Sequence, residues 1–370
     1  MKKLIFMLTV AFMAASGIRV VASESETTYY DARNFKVIGT LAPNAEQPFS
    51  RIPDEYKDTL RKELWDLGLN SAGIAVRFAT DTKTLRVKWK SHNSFNMNHM
   101  TATGIRGLDL YTLQDDSTWT FLNSARPNLH KAVTTARLAS NLPDKGMREY
   151  MLYLSLYDGV DSLEIGVDSL AHISAGNVNL PVCEKPIVMY GTSILQGGCA
   201  TRPGMAHTNI IQRKLNREVI NLGFSGNARL DLPIAHLMAS VDAVCYVIDP
   251  LPNCTSDILK ERLAEFYKIL RQARPQTPII FVESPLFPIM RFDEEVNNTI
   301  IEKNETLRSI YDGFAAEGDN NIYYFKGEDV FSGDPELTVD NYHLTDYGFT
   351  LFAEKLIPVI NKAIKHGSFI

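Results

Sequence analysis

The stretch Ile187-Val188-Met189-Tyr190-Gly191-Thr192-Ser193 joins four apolar residues to a glycine and two hydroxyl side chains. Such a run is typical of a buried strand that ends in a turn. Four more short apolar runs follow it, and longer stretches with helix-like spacing separate them. Alternating strands and helices predict a parallel sheet with helices on both faces, which is a three-layer α/β fold. The predicted strands are 186–190, 219–222, 243–248, 278–282 and 322–325, and the predicted helices are 208–215, 258–273, 295–314 and 347–364.

The chain before residue 180 follows a different pattern. Short apolar runs with period-two alternation are separated by Asp, Ser and Gly turns. The runs 74–78 and 85–89 predict a β-hairpin with one solvated face. Many short strands and few helical patterns predict an antiparallel sandwich. We therefore expect a small, jelly-roll-like β-sandwich domain over residues 23–180 and an α/β domain over residues 181–370.

The first 22 residues have the features of a secretory signal peptide. Met1-Lys2-Lys3 precedes an apolar run at 4–15, and small residues follow up to Ala22. A membrane anchor needs about 20 consecutive apolar residues, and Gly17 and Arg19 interrupt this stretch. We expect cleavage near residue 22, export to the periplasm or the extracellular space, and no stable membrane insertion afterwards.

Composition and net charge limit the classes of partner that we expect for the mature protein. With 370 residues, 45% of them hydrophobic, the chain is long enough to bury sizeable cores. Removing residues 1–22 lowers the basic residues from 38 to 35 against an unchanged 43 acidic residues, a formal charge of −8. Nucleic acid is therefore not an expected partner. The composition says nothing about the oligomeric state.

Export would make disulfides possible. The four cysteines, Cys183, Cys199, Cys245 and Cys254, allow three pairings. Cys199 and Cys254 each lie near a candidate active-site residue, so their pairing is the first to test. Buried free thiols explain the same residues equally well.

Three residues have the chemistry of a nucleophile, its base and an orienting carboxylate. Ser193 follows a predicted strand, where free backbone N–H groups of a strand-to-helix turn can stabilise an oxyanion. Asp340 and His343 lie three residues apart before the last predicted helix. A serine hydroxyl needs an imidazole within hydrogen-bond reach, and the imidazole needs a carboxylate to hold its tautomer. The arrangement predicts nucleophilic acyl chemistry.

Further candidates follow the other strands. Gly223 ends the second strand and offers a backbone N–H without a Cβ in the way, although a tight turn explains it too. Asn253 lies in a proline-stiffened loop after the third strand and offers an amide N–H to the same oxyanion. Arg202, on the loop after Ser193, is a candidate clamp for a substrate oxygen or carboxylate. Glu283 ends the fourth strand on the same rim and would either bind substrate or pair with Arg202.

Four sequence blocks follow one another along the chain: the turn at Ser193, Gly223 after the second strand, Asn253 after the third, and Asp340-x-x-His343 before the last helix. Their order resembles the SGNH (GDSL-type) hydrolase superfamily over roughly residues 185–365. The resemblance implies a flavodoxin-like α/β domain, with Ser193 as nucleophile, His343 as general base and Asp340 as its orienter. It also implies an oxyanion hole made by the Ser193 backbone N–H, Gly223 and Asn253. The first block departs from the family pattern, because Gly191-Thr192-Ser193 replaces Gly-Asp-Ser. The third departs as well, because Asp249-Pro250-Leu251-Pro252-Asn253-Cys254 replaces Gly-x-Asn-Asp.

The segment Gly107-Leu108-Asp109-Leu110-Tyr111 resembles the Gly-x-Asp-Leu-Tyr motif of a small β domain that precedes such hydrolases in secreted bacterial proteins. Members of this two-domain kind are esterases, often carbohydrate deacetylases. The resemblance therefore implies hydrolysis of short-chain esters, chiefly acetyl esters, on a small-molecule or oligosaccharide substrate.

Two other functions remain open. A non-catalytic carbohydrate-binding protein with a decayed hydrolase domain would explain the altered blocks. A lipid or acyl esterase would keep the triad but would need a more apolar lid. The sequence lacks a zinc-protease pattern, a paired Cys-x-x-Cys, a P-loop and a dinucleotide glycine pattern, so no metal or nucleotide cofactor is expected.

Overall fold

The computed structural model describes residues 26–331 and 334–367, so the predicted signal peptide at 1–22 lies outside the described residues. The N-terminal part contains ten strands and two short helices among these residues. Its elements are β1 (Thr27–Asp31), β2 (Lys36–Ile38), α1 (Lys62–Gly68), β3 (Ala75–Thr80), β4 (Leu85–Ser91), α2 (Ala102–Arg106), β5 (Leu108–Leu113), β6 (Trp119–Ala125), β7 (Val133–Ala139), β8 (Arg148–Tyr153), β9 (Val160–Asp168) and β10 (Ile173–Ser174).

These strands form two antiparallel sheets, as the alternating pattern predicts. One sheet has the order β1-β9-β4-β7, and the other has the order β10-β3-β8-β5-β6 with β2 also paired to β3. Inward-facing apolar residues of both sheets make one buried cluster, which includes Phe78, Val87, Trp89, Leu110 and Ile165. The predicted antiparallel β domain is therefore confirmed.

The predicted hairpin between β3 and β4 is wrong. The two strands lie in different sheets, and their connection crosses the edge of the sandwich. The Asp168 carboxylate at the end of β9 holds this connection, because it accepts hydrogen bonds from Thr82 Oγ1 (3.0 Å), Lys83 N (3.0 Å) and Thr84 N (2.9 Å). All residues of β3 are buried, so this strand has no solvated face.

The C-terminal part alternates strands and helices. Its five strands form a parallel sheet. The first strand pairs with the second strand on one side and with the third on the other, so the direction of strand addition reverses at the first strand. The elements are β11 (Val182–Gly191), α3 (Ser193–Gln196), α4 (His207–Leu215), β12 (Arg217–Gly223), α5 (Leu232–Ser240), β13 (Cys245–Asp249), α6 (Ser256–Ala273), β14 (Ile279–Val282), α7 (Glu294–Ala316), β15 (Ile322–Phe325), α8 (Glu328–Phe331) and α9 (Asp346–Gly367).

The strand order β12-β11-β13-β14-β15 is the flavodoxin-like order that the family resemblance implies. Apolar side chains on one face of the sheet pack against α4 and α9, and those on the other face pack against α5, α6 and α7. Ligands of such sheets bind beyond the carboxyl ends of the strands, where the order reverses. That point lies between β11 and β13, directly at Ser193. Every helix among the described residues is too short or too polar to span a lipid bilayer.

The two parts share buried contacts. Arg51 is fully buried and donates from Nη1 to Asn221 O (3.0 Å) and Gly223 O (2.7 Å), at the carboxyl end of β12. Leu156 and Tyr157 of the N-terminal part belong to the same apolar cluster as α9. Polar and apolar contacts therefore join the N-terminal and C-terminal parts close to the carboxyl end of β12. The domain boundary at residues 180 and 181 stays a prediction.

Candidate active site

Ser193 lies at the turn between β11 and α3, as predicted. The Thr192 side chain accepts a hydrogen bond from Ile194 N and caps the short helix. The side chain of Ser193 borders solvent, since the residue is 8% exposed. Glycines let the backbone close tightly here, because a Cβ on Gly191 would lie 2.8 Å from Asp249 O. The sheet edge therefore presents the hydroxyl on a rigid turn.

Ser193, His343 and Asp340 form a continuous hydrogen-bonded chain. His343 Nε2 lies 2.9 Å from Ser193 Oγ, and His343 Nδ1 lies 2.8 Å from Asp340 Oδ2. The two halves of this chain are 150 residues apart in the sequence. An imidazole placed between a hydroxyl and a carboxylate can take the hydroxyl proton and remain oriented while charged.

The turn that carries Asp340 and His343 is held by its own backbone. Asp340 Oδ1 accepts from His343 N (2.8 Å) and Tyr342 N (3.2 Å), and Asn341 has a φ of 69° that closes the turn. Partial burial raises the pKa of Asp340, but the hydrogen bonds from the His343 ring and from these N–H groups outweigh it. The net pKa lies below the ordinary 3.8, so the carboxylate is charged at neutral pH.

The backbone around Ser193 has further support that the sequence analysis missed. Ser193 O accepts from Gly198 N (2.7 Å) and from the Tyr157 hydroxyl (3.1 Å), which comes from the N-terminal part. A Cβ on Gly198 would lie 2.9 Å from Cδ2 of His343. Gly198 therefore lets the imidazole lie flat against the loop after α3. The only sequence signal for this contact was the pair Gly197-Gly198 close to Ser193.

The structure assigns Gly223 a packing role and corrects its predicted role as an oxyanion donor. Its N–H already donates to Asn221 Oδ1 at 2.9 Å. A Cβ at this position would lie 2.2 Å from Gln196 N and 2.7 Å from Gln196 Cα. Gly223 is thus needed because α3 packs directly on the end of β12.

A second glycine in the same block has a free N–H. Gly226 lies in the turn closed by the Asn227 N to Phe224 O hydrogen bond (2.9 Å), and its φ is 69°. Within residues 26–331 and 334–367, its N–H has no hydrogen-bond partner. Ser225 N donates to Gln196 Oε1 (3.0 Å), which ties this turn to the helix of Ser193. The sequence offered two glycines, and only the fold shows which N–H is free.

Asn253 lies next to this turn. Its Oδ1 accepts from Ala228 N at 3.3 Å, which directs the amide group and leaves Nδ2 as its donor. In the described part of the chain Nδ2 has no protein partner. The geometry is compatible with the predicted donor role of Asn253.

Arg202 does not face a substrate as predicted. Its Nη1 donates to the buried carboxylate of Asp109 (2.7 Å) and to the Tyr111 hydroxyl (2.8 Å), and its guanidinium lies 3.8 Å from the Phe121 ring centroid. Asp109 also accepts from Gly204 N (2.8 Å). The Asp and Tyr of the Gly-x-Asp-Leu-Tyr segment therefore anchor the loop that follows Ser193. The prediction failed because the partner lies 93 residues away in the sequence.

Glu283 is likewise engaged within the protein. Its Oε1 accepts from the Tyr324 hydroxyl (2.7 Å), and its Oε2 accepts from Gly327 N (2.8 Å). These contacts join the ends of β14 and β15. Both carboxylate oxygens thus have structural partners, and Arg202 is held by Asp109, so the alternative pairing of Glu283 with Arg202 does not form.

The four cysteines are free thiols, so of the two open alternatives the structure shows the second. Cys199 and Cys254 have separate partners. Cys199 Sγ lies 3.4 Å from His99 O, and Cys254 Sγ lies 3.4 Å from Ala228 O.

Comparisons with known proteins identify the family of this chain. Residues 184–361 match the GDSL-like lipase/acylhydrolase family, and residues 27–173 match the N-terminal domain of SGNH-hydrolase-type esterases. A GDSL-like lipase structure from Bacteroides ovatus is 32% identical, with a TM-score of 0.86 over 92% of this chain and 98% of that one. This chain is a member of the GDSL-like lipase/acylhydrolase family. The resemblance seen in the sequence is thereby confirmed.

More distant structures share the fold of this GDSL-like protein. A salicylyl-acyltransferase from a tetracycline biosynthetic pathway is 18% identical, with a TM-score of 0.74 over 91% of this chain and 97% of that one. A family two carbohydrate esterase from Clostridium thermocellum, solved in complex with cellohexaose, is 14% identical, with a TM-score of 0.55 over 80% of this chain and 93% of that one. No curated protein sequence matches the chain.

Proposed function

We propose that this GDSL-like protein is a serine esterase that removes short acyl groups, chiefly acetyl, from carbohydrate esters. The observation that carries the proposal is the hydrogen-bonded chain from Ser193 Oγ through His343 to Asp340, with distances of 2.9 and 2.8 Å. Membership of an ester-hydrolase family supports the same chemistry. The signal-like N-terminus supports action outside the cytoplasm.

The reaction has two steps. In the first, His343 takes the Ser193 proton while Ser193 Oγ attacks the ester carbonyl carbon. The tetrahedral intermediate then loses the alcohol, which leaves with the proton from His343, and the acyl group stays on Ser193. In the second step, His343 activates a water molecule, which releases the acid and restores the serine hydroxyl. Asp340 stabilises the imidazolium in both steps.

The negative charge of the intermediate needs donors that do not have to reorganise. We propose the backbone N–H groups of Ser193 and Gly226 and the Nδ2 of Asn253 as these donors. Gly226 replaces the predicted Gly223, because the Gly223 N–H is already bound to Asn221. Asn253 Oδ1 accepts a hydrogen bond from Ala228 N, and this bond holds the Asn253 amide group in place.

A cavity lined in part by the chain neighbours of Asn253 and His343 supports a polar alcohol portion of the substrate. Its volume is about 400 Å³, and Pro252, Ser284, Phe287, Lys303 and Tyr342 are among its lining residues. Pro252 directly precedes Asn253 in the chain, and Tyr342 directly precedes His343. The buried Ser284 Oγ has no hydrogen-bond partner among the described residues. The cavity lining also includes the polar residues Asp293, Glu295 and Thr299, and such a lining suits a sugar better than a fatty acyl chain.

One of the structural neighbours acts on this substrate class. The Clostridium thermocellum neighbour is a carbohydrate esterase, although its low identity supports the fold alone. A decayed, non-catalytic domain is disfavoured by the intact hydrogen bonds of Ser193, His343 and Asp340.

The test compares native protein with Ser193→Ala on p-nitrophenyl acetate, butyrate and octanoate and on a panel of acetylated oligosaccharides. We expect acetate release that falls with acyl length and is lost in the variant, while circular dichroism shows the same fold. Preference for octanoate would favour a lipid esterase. A folded native protein that releases no acid from any substrate would favour the non-catalytic binding protein.

A further inference from the structure

Four side chains with metal-binding atoms meet at the triad. His99, Cys199, Asp340 and His343 each offer one ligand atom, and these atoms lie within 4.8 Å of one another. The His99 and His343 ring centroids are 5.6 Å apart. The proposed hydrolysis uses Asp340 and His343 but gives no role to His99, on the loop after β4, or to Cys199, on the loop after α3.

The donor set suits zinc. Zn²⁺ is bound tetrahedrally by imidazole, thiolate and carboxylate groups at about 2.0–2.3 Å, which places neighbouring donors roughly 3.4 Å apart. Donors within 4.8 Å of one another reach that spacing with shifts of about 1 Å or a little more. Two nitrogens, one sulfur and one oxygen favour zinc over magnesium or calcium, which prefer oxygen ligands alone.

One ring nitrogen of His99 lies beside a side-chain oxygen. Its Nδ1 lies 3.1 Å from Asn98 Oδ1, an oxygen that only accepts hydrogen bonds. A hydrogen bond donated by Nδ1 to this oxygen leaves the lone pair on Nε2. A neutral imidazole whose other nitrogen is hydrogen-bonded to an oxygen is the usual form of a metal-bound histidine.

Cys199 is held in an unusual backbone conformation. Its φ is 73°, in the left-handed region that non-glycine residues rarely adopt. Such strain persists only where the surrounding structure enforces it, and it concentrates at functional sites. Here it keeps a buried thiol beside His99, with Sγ 3.4 Å from His99 O. A thiol binds zinc as the thiolate, so zinc binding at Cys199 releases its proton.

We propose that His99, Cys199, Asp340 and His343 form an inhibitory zinc site that switches the esterase off. Binding at His343 Nε2 removes the base from Ser193 Oγ, and binding at His343 Nδ1 removes Asp340 from the imidazole, so either mode disables the triad. Each Zn²⁺ that binds releases the Cys199 proton to solvent and forms a Zn–S bond. The inhibition rests on the proposed function, but the metal binding does not.

The test measures binding and activity separately. Zn²⁺ is titrated into the protein by calorimetry, Co²⁺ is added to look for a thiolate-to-metal absorption band, and acetate release is measured with Zn²⁺ and then with EDTA. His99→Gln is compared with His236→Gln, a matched loss of an exposed histidine on α5, on the opposite face of the sheet.

We expect about one Zn²⁺ per chain, tighter binding at higher pH, and inhibition that EDTA reverses. His99→Gln should weaken zinc binding and inhibition by at least about tenfold, with unchanged metal-free activity, and His236→Gln should behave as native. Zinc binding that is absent, or equally tight in the two variants, would overturn the proposal. Zinc binding that depends on His99 in a protein without esterase activity would support the site and contradict the proposed function.

Discussion

Replacing Gly223 with alanine tests how the end of β12 positions the nucleophile. The added Cβ would lie 2.2 Å from Gln196 N and 2.7 Å from Gln196 Cα, which are backbone atoms of the helix that begins at Ser193. Backbone cannot rotate away as a long side chain can. Ordinary contact begins at 3.4 Å, so α3 and β12 must separate by about 1 Å.

This displacement sets the expected magnitude. A misplacement of about 1 Å at a catalytic group costs roughly 10²-fold in rate. Overpacking at a close contact costs typically about 1–3 kcal/mol of stability. We therefore expect Gly223→Ala to lower kcat about 10²-fold and to lower the free energy of unfolding by about 2 kcal/mol.

The assay is p-nitrophenyl acetate hydrolysis together with urea unfolding. Gly313→Ala in α7 is the matched control, because a Cβ there meets no atom within 4 Å. That control should keep full activity and gain up to about 1 kcal/mol from better helix propensity. A Gly223→Ala protein with native kcat and native stability would refute the close-packing argument.

Three further predictions concern other positions. Arg202→Met should leave the KM for p-nitrophenyl acetate nearly unchanged. It should lower the free energy of unfolding in urea by about 3 kcal/mol, because the buried Asp109 carboxylate loses its ion-pair partner. A raised KM with native stability would instead support substrate binding by Arg202. His207 is fully buried without a hydrogen-bond partner among the described residues, and burial lowers its pKa from 6.5 to about 3. The unfolded chain therefore binds a proton at a higher pH than the folded chain does, so lowering the pH from 6.5 towards 3 favours unfolding. Going from pH 7 to pH 5 should therefore cost native protein about 2 kcal/mol more than His207→Leu, and parallel pH profiles of unfolding would contradict this. Asp340→Asn should lower kcat about 10³–10⁴-fold without unfolding the protein, and a loss below about tenfold in a kinetic assay would remove Asp340 from the mechanism.

The sequence predicted the α/β architecture well because its physical signal is local. Strands of a parallel sheet are buried on both faces, so they read as continuous apolar runs, and all five runs became strands. Helix α5 (Leu232–Ser240) escaped prediction because most of its residues are buried and it lacks a clear polar face. The hairpin of β3 and β4 was mispredicted because a short turn between two strands also fits a crossing between sheets.

The site was predicted in its residue types but only partly in its contacts. Ser193, His343 and Asp340 follow strand ends or precede a helix, and the topology of the sheet brings such positions together. The role of Gly223 depends on the position of the Asn221 side chain, which accepts the Gly223 N–H. The role of Arg202 depends on its ion pair with Asp109, which lies in β5 of the N-terminal part. Those contacts arise only when the two parts pack, so no local pattern carries them.

The most direct test of the central claim is covalent labelling with an aryl fluorophosphonate, followed by peptide mass spectrometry. Such a reagent reacts with a serine only when a neighbouring base activates it. The account predicts a single adduct on the peptide that contains Ser193, strongly slowed labelling in His343→Ala, and no adduct in Ser193→Ala. Labelling of a different serine, or equal labelling with and without His343, would contradict Ser193 as the activated nucleophile.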